Sequence, residues 1–329
     1  GWALSYGDPD RISLNVAAPD TAAAYWVTPF MPVATLRRIT INGRFPDARY
    51  LSFITYDAGF DPYFPMPAGM QPQLTDFEIV PDVGQLNPWQ QPALAGGRYT
   101  LYVARSAADA PRNALAMPPA RDGSLVDILG RMPTIANCAP VCLPYHQFFR
   151  PGTELQAGFA PNEDSGYLFG LMKPLAGTVM VIRGKLPPVT DGNNAEPWLS
   201  SGRQLRYMSI CAYPVVKPYP VTGCVRDDQL ELDGAGYYTV VVGGLLDQPL
   251  SMHWRRDNWI PWSTLFPLRD HLLLLRNMVE QDGFNRSVLD VPQDYNPASA
   301  AAVMGDYYPA VKRCTRLSYN LYGHQCRAL

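Results

Sequence analysis

The sequence predicts an all-β protein built as two tandem, duplicated, antiparallel β-sandwich or jelly-roll-like domains with a few short helices. Three observations carry that reading. "RYLSFITYD" at 49–57 is nearly repeated by "RYMSICAYP" at 206–214. Short runs rich in Val, Ile, Tyr, Thr and Phe are bounded by Gly, Pro, Asn and Asp, the pattern of strands and turns. Finally, no amphipathic helix of crossover length separates those runs, which argues against a parallel α/β fold.

In the first copy the strands expected are "TLRRITING", "YLSFITYDA", "DFEIVPD" and "RYTLYVAR"; their partners in the second are "TVMVIRG", "RYMSICAY", "QLELDG" and "YYTVVVGG". In "QLELDG", Leu230 and Leu232 alternate with Glu231 and Asp233, as on a half-buried strand. The order of marks is kept between the copies: Pro19 with Pro161, Tyr25 with Tyr167, Pro32 with Pro174, Gly43 with Gly184, Pro46 with Pro187, and Ser52 with Ser209. A spacing of roughly 140 to 150 residues is too long for a solenoid and reads as a doubled domain. The expected division is 1–136 and 137–329. Residues 122–132 read as a short connecting helix, and 262–281, split by Pro267, as helix followed by strand.

Charged residues make up only 17% of the chain and the formal charge is −2, so no basic footprint for nucleic acid exists. The longest apolar stretches, 237–246 and 271–275, fall far short of a membrane span. The start at "GWALSYGD", without Met or a basic region, fits a mature exported chain. Six cysteines fall into three local couples, Cys138 with Cys142, Cys211 with Cys224 and Cys314 with Cys326, for which nearest-neighbour disulfides are expected. Oxidised cysteines point to an extracytoplasmic site, periplasmic or secreted.

Tyr50, Ser52, Tyr56, Asp57 and Ala58 in "YLSFITYDA", followed by "DNWIPW" at 257–262 and "LLLLRNM" at 272–278, resemble the signatures of a large uncharacterised bacterial family. Its members are mostly exported and built from tandem β-sandwich domains. Leu51 stands where that family often has tryptophan, and Ile260 where it has leucine. The resemblance implies sandwich domains and export, and brings no reaction with it.

Chemistry-bearing clusters are few. Cys138, Cys142 and His146 recur at helical spacing, but Pro140 and Pro144 interrupt a helix there, so a small disulfide loop is expected and no metal site or cofactor. "HWRRDNWIPW" at 253–262 is the densest mix of titratable and aromatic groups. On a strand, His253, Arg255 and Asp257 share one face and are capable of acid–base work, with His146 and Tyr145 as further candidates. The competing reading pairs Arg with Asp and buries Trp254, Trp259 and Trp262 at the junction of the copies. These tryptophans, with Tyr63 and Phe64 in a Pro-punctuated loop and Tyr307 in "MGDYYP", are the candidate ligand-binding rings. His271 heads an apolar run and reads as packed or capping, and "RDDQLELDG" at 226–234 as a solvated hairpin. The function expected is an exported, disulfide-stabilised binding or accessory protein that recognises a glycan, an apolar small molecule or another envelope protein. The rival is a lyase or hydrolase with its site between the domains.

Overall fold

A computed structural model describes residues 4–6, 18–28, 30, 34–57, 61–62, 64–92, 96–119, 145–152, 161–191, 194–199 and 201–329. The expected helix at 122–132, Cys138, Cys142, Tyr63 and the 136/137 boundary lie outside the described residues. The first half contributes β1 (Leu4–Tyr6), β2 (Tyr25–Val27), β3 (Arg38–Arg44), β4 (Ser52–Ile54), β5 (Gln73–Thr75), β6 (Arg98–Ala104) and β7 (Ala114–Ala116). The second contributes β8 (Phe148–Phe149), β9 (Ser165–Met172), β10 (Thr178–Lys185), β11 (Leu205–Pro214), β12 (Gly223–Arg226), β13 (Tyr237–Gly243), α1 (Met252–Arg255), β14 (Asn258–Pro261), β15 (His271–Glu280), α2 (Pro297–Met304), β16 (Ala310–Thr315) and α3 (Arg316–Tyr322). The protein is all-β, with only these three short α-helices among the described residues. None is long and apolar enough to cross a membrane.

The two halves repeat one strand plan. In the first, β3 pairs antiparallel with β6, which pairs parallel with β7; in the second, β10, β13 and β14 do the same. The β4–β5 hairpin likewise answers β11–β12. Gly43 lies opposite Tyr99 and Gly184 opposite Tyr238, and in both pairs the tyrosine side chain occupies the space that a Cβ on the glycine would need. In the second half β14-β13-β10-β16 packs over β12-β11-β15-β9-β8, and Met180, Ile182, Val240 and Val242 face Met208, Ile210, Leu273 and Leu275 across a fully buried core. The first half's core gathers Phe45, Phe53, Trp89, Tyr99, Leu101 and Val103.

Each copy's loop is seated on the other copy. Arg49 binds Asp227 at 2.8 Å, and Arg206, at the equivalent position of the second copy, binds Asp76 of the first. All four side chains are buried or nearly so. Each Asp also takes an amide from the strand beside it: Leu51 donates to Asp76, and Met208 to Asp227. Tyr50 donates to Asp164 at 2.6 Å and Tyr207 to Asp20 at 2.9 Å, while Tyr56 and Tyr213 donate to the carbonyls of Pro161 and Pro19. Trp198, Tyr207, Met278 and Val279 fill the seam, with Tyr50 and Phe77 against them. Ala18, Pro19 and Asp20 therefore sit against the second sandwich.

Several local expectations are corrected. "DFEIVPD" and "QLELDG" are equivalent, as the repeat requires, yet each opens on a 3₁₀ turn, Asp76–Glu78 and Asp227–Gln229. The cause is a side-chain cap: Glu78 accepts the Thr75 amide and Gln229 that of Arg226. Leu232 is 46% exposed, so it does not share a buried face with Leu230. The 226–234 run is not wholly solvated, because Asp227 is consumed by Arg49. Residues 262–270 form a loop before β15 rather than a helix.

Removing one partner of a buried pair strands the other charge. Arg206→Met is expected to cost about 3–5 kcal/mol in urea unfolding, and Arg206→Met with Asp76→Leu to regain much of that loss. A loss under about 1 kcal/mol for the single variant is the result to expect if the pair contributes nothing to holding the copies together.

Candidate functional site

One end of the second sandwich gathers the tips of several connections: 173–177 between β9 and β10, 215–222 between β11 and β12, 244–251 after β13, 262–270 after β14, and the start of α3 after β16. The turn at 173–177 closes through Gly177, whose φ of +75° lies in the left-handed region that glycine tolerates. Its amide donates to Asp247 at 2.9 Å, and its carbonyl accepts the Arg316 amide at 2.9 Å. Arg316 also donates to the Leu246 carbonyl at 3.0 Å. Asn320 of α3 accepts the Ser251 amide at 3.0 Å. The Cys314–Cys326 disulfide holds the segment after α3 against β16, and Cys211–Cys224 joins directly opposed residues of β11 and β12.

His271 shapes the 262–270 loop. Its Nε2 accepts the Ser263 amide at 2.8 Å, so the proton sits on Nδ1, which donates to the Arg269 carbonyl at 2.9 Å. One buried neutral imidazole thus pins both ends of the loop, with the Trp262 ring 4.7 Å away. Burial lowers its pKa from 6.5 to about 4. The expected packed or capping role is what the structure shows.

These scaffolded tips present leucines to solvent. Leu246 is 89% exposed, Leu265 82% and Leu268 93%, joined by Leu175, Leu245, Leu250 and Leu317. Along α3 the outward face is Leu317, Leu321 and Tyr322, and Trp254 of α1 is exposed alongside. Around the tips stand Lys173, Lys217, Arg269, Arg313 and Arg316, against two acids, Asp247 and Asp270. Asp270 accepts the Tyr145 hydroxyl at 2.7 Å.

The candidate acid–base set is not assembled as the sequence reading has it. His253 and Arg255 lie on α1, and the strand begins only at Asn258; Arg256, with φ 58°, ends the helical turn. His253 is exposed, Arg255 donates to the Leu321 carbonyl at 3.1 Å, and Asp257 accepts from the Tyr319 hydroxyl. His146 sits apart, in an open depression of about 260 Å³ with Pro297, Ala298, Tyr308 and Val311, its Nε2 3.2 Å from Arg313. Burial and Asp270 push the Tyr145 hydroxyl up to about 12, leaving it protonated at neutral pH. Of the candidate rings, Trp262 and Phe64 are buried, Trp259 is half-buried beside Val179 and Val241, and Tyr307 packs edge-on to Phe284 at 5.6 Å. The tryptophans lie within the second sandwich and not at the seam, which Trp89 and Trp198 occupy with tyrosine and phenylalanine. In the sequence the exposed leucines carry no signal for a shared surface: Leu245 and Leu246 end the apolar stretch 237–246, and exposed apolar residues are ordinary in loops.

No family model and no curated protein matches the chain. Among solved structures, the chain is similar to an uncharacterized protein from Burkholderia cenocepacia, at 13% identity and a TM-score of 0.50, over 85% of this chain and 74% of that one. That likeness is one of fold. A second, the VPA0106 protein from Vibrio parahaemolyticus, has 15% identity and a TM-score of 0.27, over 59% of this chain and 47% of that one, and nothing rests on it.

The His271 geometry makes a pH prediction. Because its folded pKa lies below the unfolded value, its neutral form stabilises the fold above about 6.5, and that contribution is lost as the pH falls toward about 4. The stability difference between the wild type and His271→Gln, measured by urea titration, is expected to shrink across that window. A difference independent of pH contradicts the neutral, two-bonded imidazole.

Proposed function

We propose that this chain is an extracytoplasmic, disulfide-stabilised accessory protein that docks the leucine-tipped end of its second sandwich onto a component of the cell envelope. The observation that supports this most is the concentration of exposed leucines on separate tips at one end, held in place by Asp247, Arg316 and His271. Surface apolar residues scattered singly need no partner, whereas a gathered set does. Two disulfides among the described residues fit an oxidising compartment. A glycan is a poorer occupant of the loop tips, because branched leucine offers no flat ring to stack on a sugar; the exposed rings beside them are Trp254 and Tyr322, while Trp262 is buried. The depression near His146 is open to solvent, which favours an apolar small molecule less than a closed cavity would.

Photo-crosslinking amino acids at Leu268 and Leu317, in the native host, test the reading against a control at Val83, which is 96% exposed in the first half. Adducts to an envelope component, protein or lipid, are expected at the two leucines and not at Val83. Equal, diffuse labelling at all three positions counts against docking by this end.

A further inference from the structure

We propose that the envelope component is the anionic lipid surface itself, with Leu246, Leu250, Leu265, Leu268 and Leu317 entering the acyl boundary while the surrounding cations meet the headgroups. This rests on the docking reading above and names its partner. Three features favour a lipid leaflet over a protein.

The first is side-chain type. Energetic centres of protein interfaces are enriched in Trp, Tyr and Arg and poor in Leu, whereas aliphatic side chains partition favourably into hydrocarbon. The second is their placement. The leucines stand on the tips of separate connections at one end of a sandwich, a projecting arrangement that enters a soft phase without needing a complementary surface. Backbone at these tips stays outside the hydrocarbon, as it must: the depth reached is that of a side chain, so the turn amides keep their partners, as with Gly177 on Asp247 and Ser263 on His271.

The third is charge. The chain as a whole is −2, yet this end carries Lys173, Lys217, Arg269, Arg313 and Arg316 against Asp247 and Asp270. Both acids accept hydrogen bonds from the protein, while Lys173, Lys217 and Arg269 are exposed. Long cationic stems lie along apolar surface and hold their heads at the phosphate level, and each such cation adds attraction to an anionic leaflet that salt weakens.

The full chain is to be floated with vesicles of phosphatidylcholine alone and with vesicles one-third phosphatidylglycerol. Partition into the anionic vesicles is expected, weakening as salt is raised. Leu265→Glu with Leu268→Glu is expected to lower it by roughly tenfold or more. Lys173→Ala with Lys217→Ala is expected to remove most of the preference for phosphatidylglycerol, and Val83→Glu to change nothing. Since every altered side chain is exposed, unchanged circular dichroism and melting are expected to accompany the loss. No partition at low salt, or equal partition of the leucine variant, overturns the lipid assignment. If Leu268 adducts in cells then fall on a protein, docking stands and the lipid assignment falls; if neither assay responds, both fall.

Discussion

The two buried Arg–Asp pairs are the constraint on which the rest of the molecule depends. Arg49 and Arg206 occupy the same place in the two copies, and each reaches across to the Asp that begins the other copy's 3₁₀ turn. A desolvated guanidinium tolerates little but a carboxylate in that position, so register and orientation of the halves are set together. Burial raises Asp76 to about 6, opposed by the Arg206 charge and the amides of Leu51 and Phe77. Asp227 is shifted in the same direction for the same reason, with Arg49 opposing. The aromatic faces of Trp198 and Phe77 over Arg206, and of Tyr207 over Arg49, replace part of the lost water.

From that exchange the tyrosines take their roles. Tyr56 and Tyr213 donate to the carbonyls of Pro161 and Pro19 of the other copy, and Tyr50 and Tyr207 to its carboxylates Asp164 and Asp20. A motif that looks like a recognition signature is here the clasp of a doubled fold. Its conspicuous aromatic and hydroxyl groups are used internally, and the exposed apolar residues lie at the periphery.

In the second copy β15 lies between β9 and β11, with the His271-pinned loop before it, and β16 and α3 follow, with a disulfide after them. The 262–270 loop and α3, with the 173–177 and 244–251 connections, carry leucine outward at the same end.

The all-β class, the duplication and two of the disulfides were legible in the chain itself, because strand periodicity, turn residues and the ordered recurrence of Pro, Gly and Tyr are local properties. Gly43 and Gly184 recur at matching places of the two copies, and the tyrosine across each supplies the reason. Local reading went astray where a side chain three residues away captured an amide, as Glu78 and Gln229 do, or where a single helical turn, Met252–Arg255, interrupted what looked like strand. What only the tertiary structure decided is the pairing of Arg49 with Asp227 across 178 positions and the gathering of leucines from separate loops at one end. Neither has a sequence spacing to announce it: burial and charge pairing act through space, and chain connectivity records nothing about which loop tips will share an end.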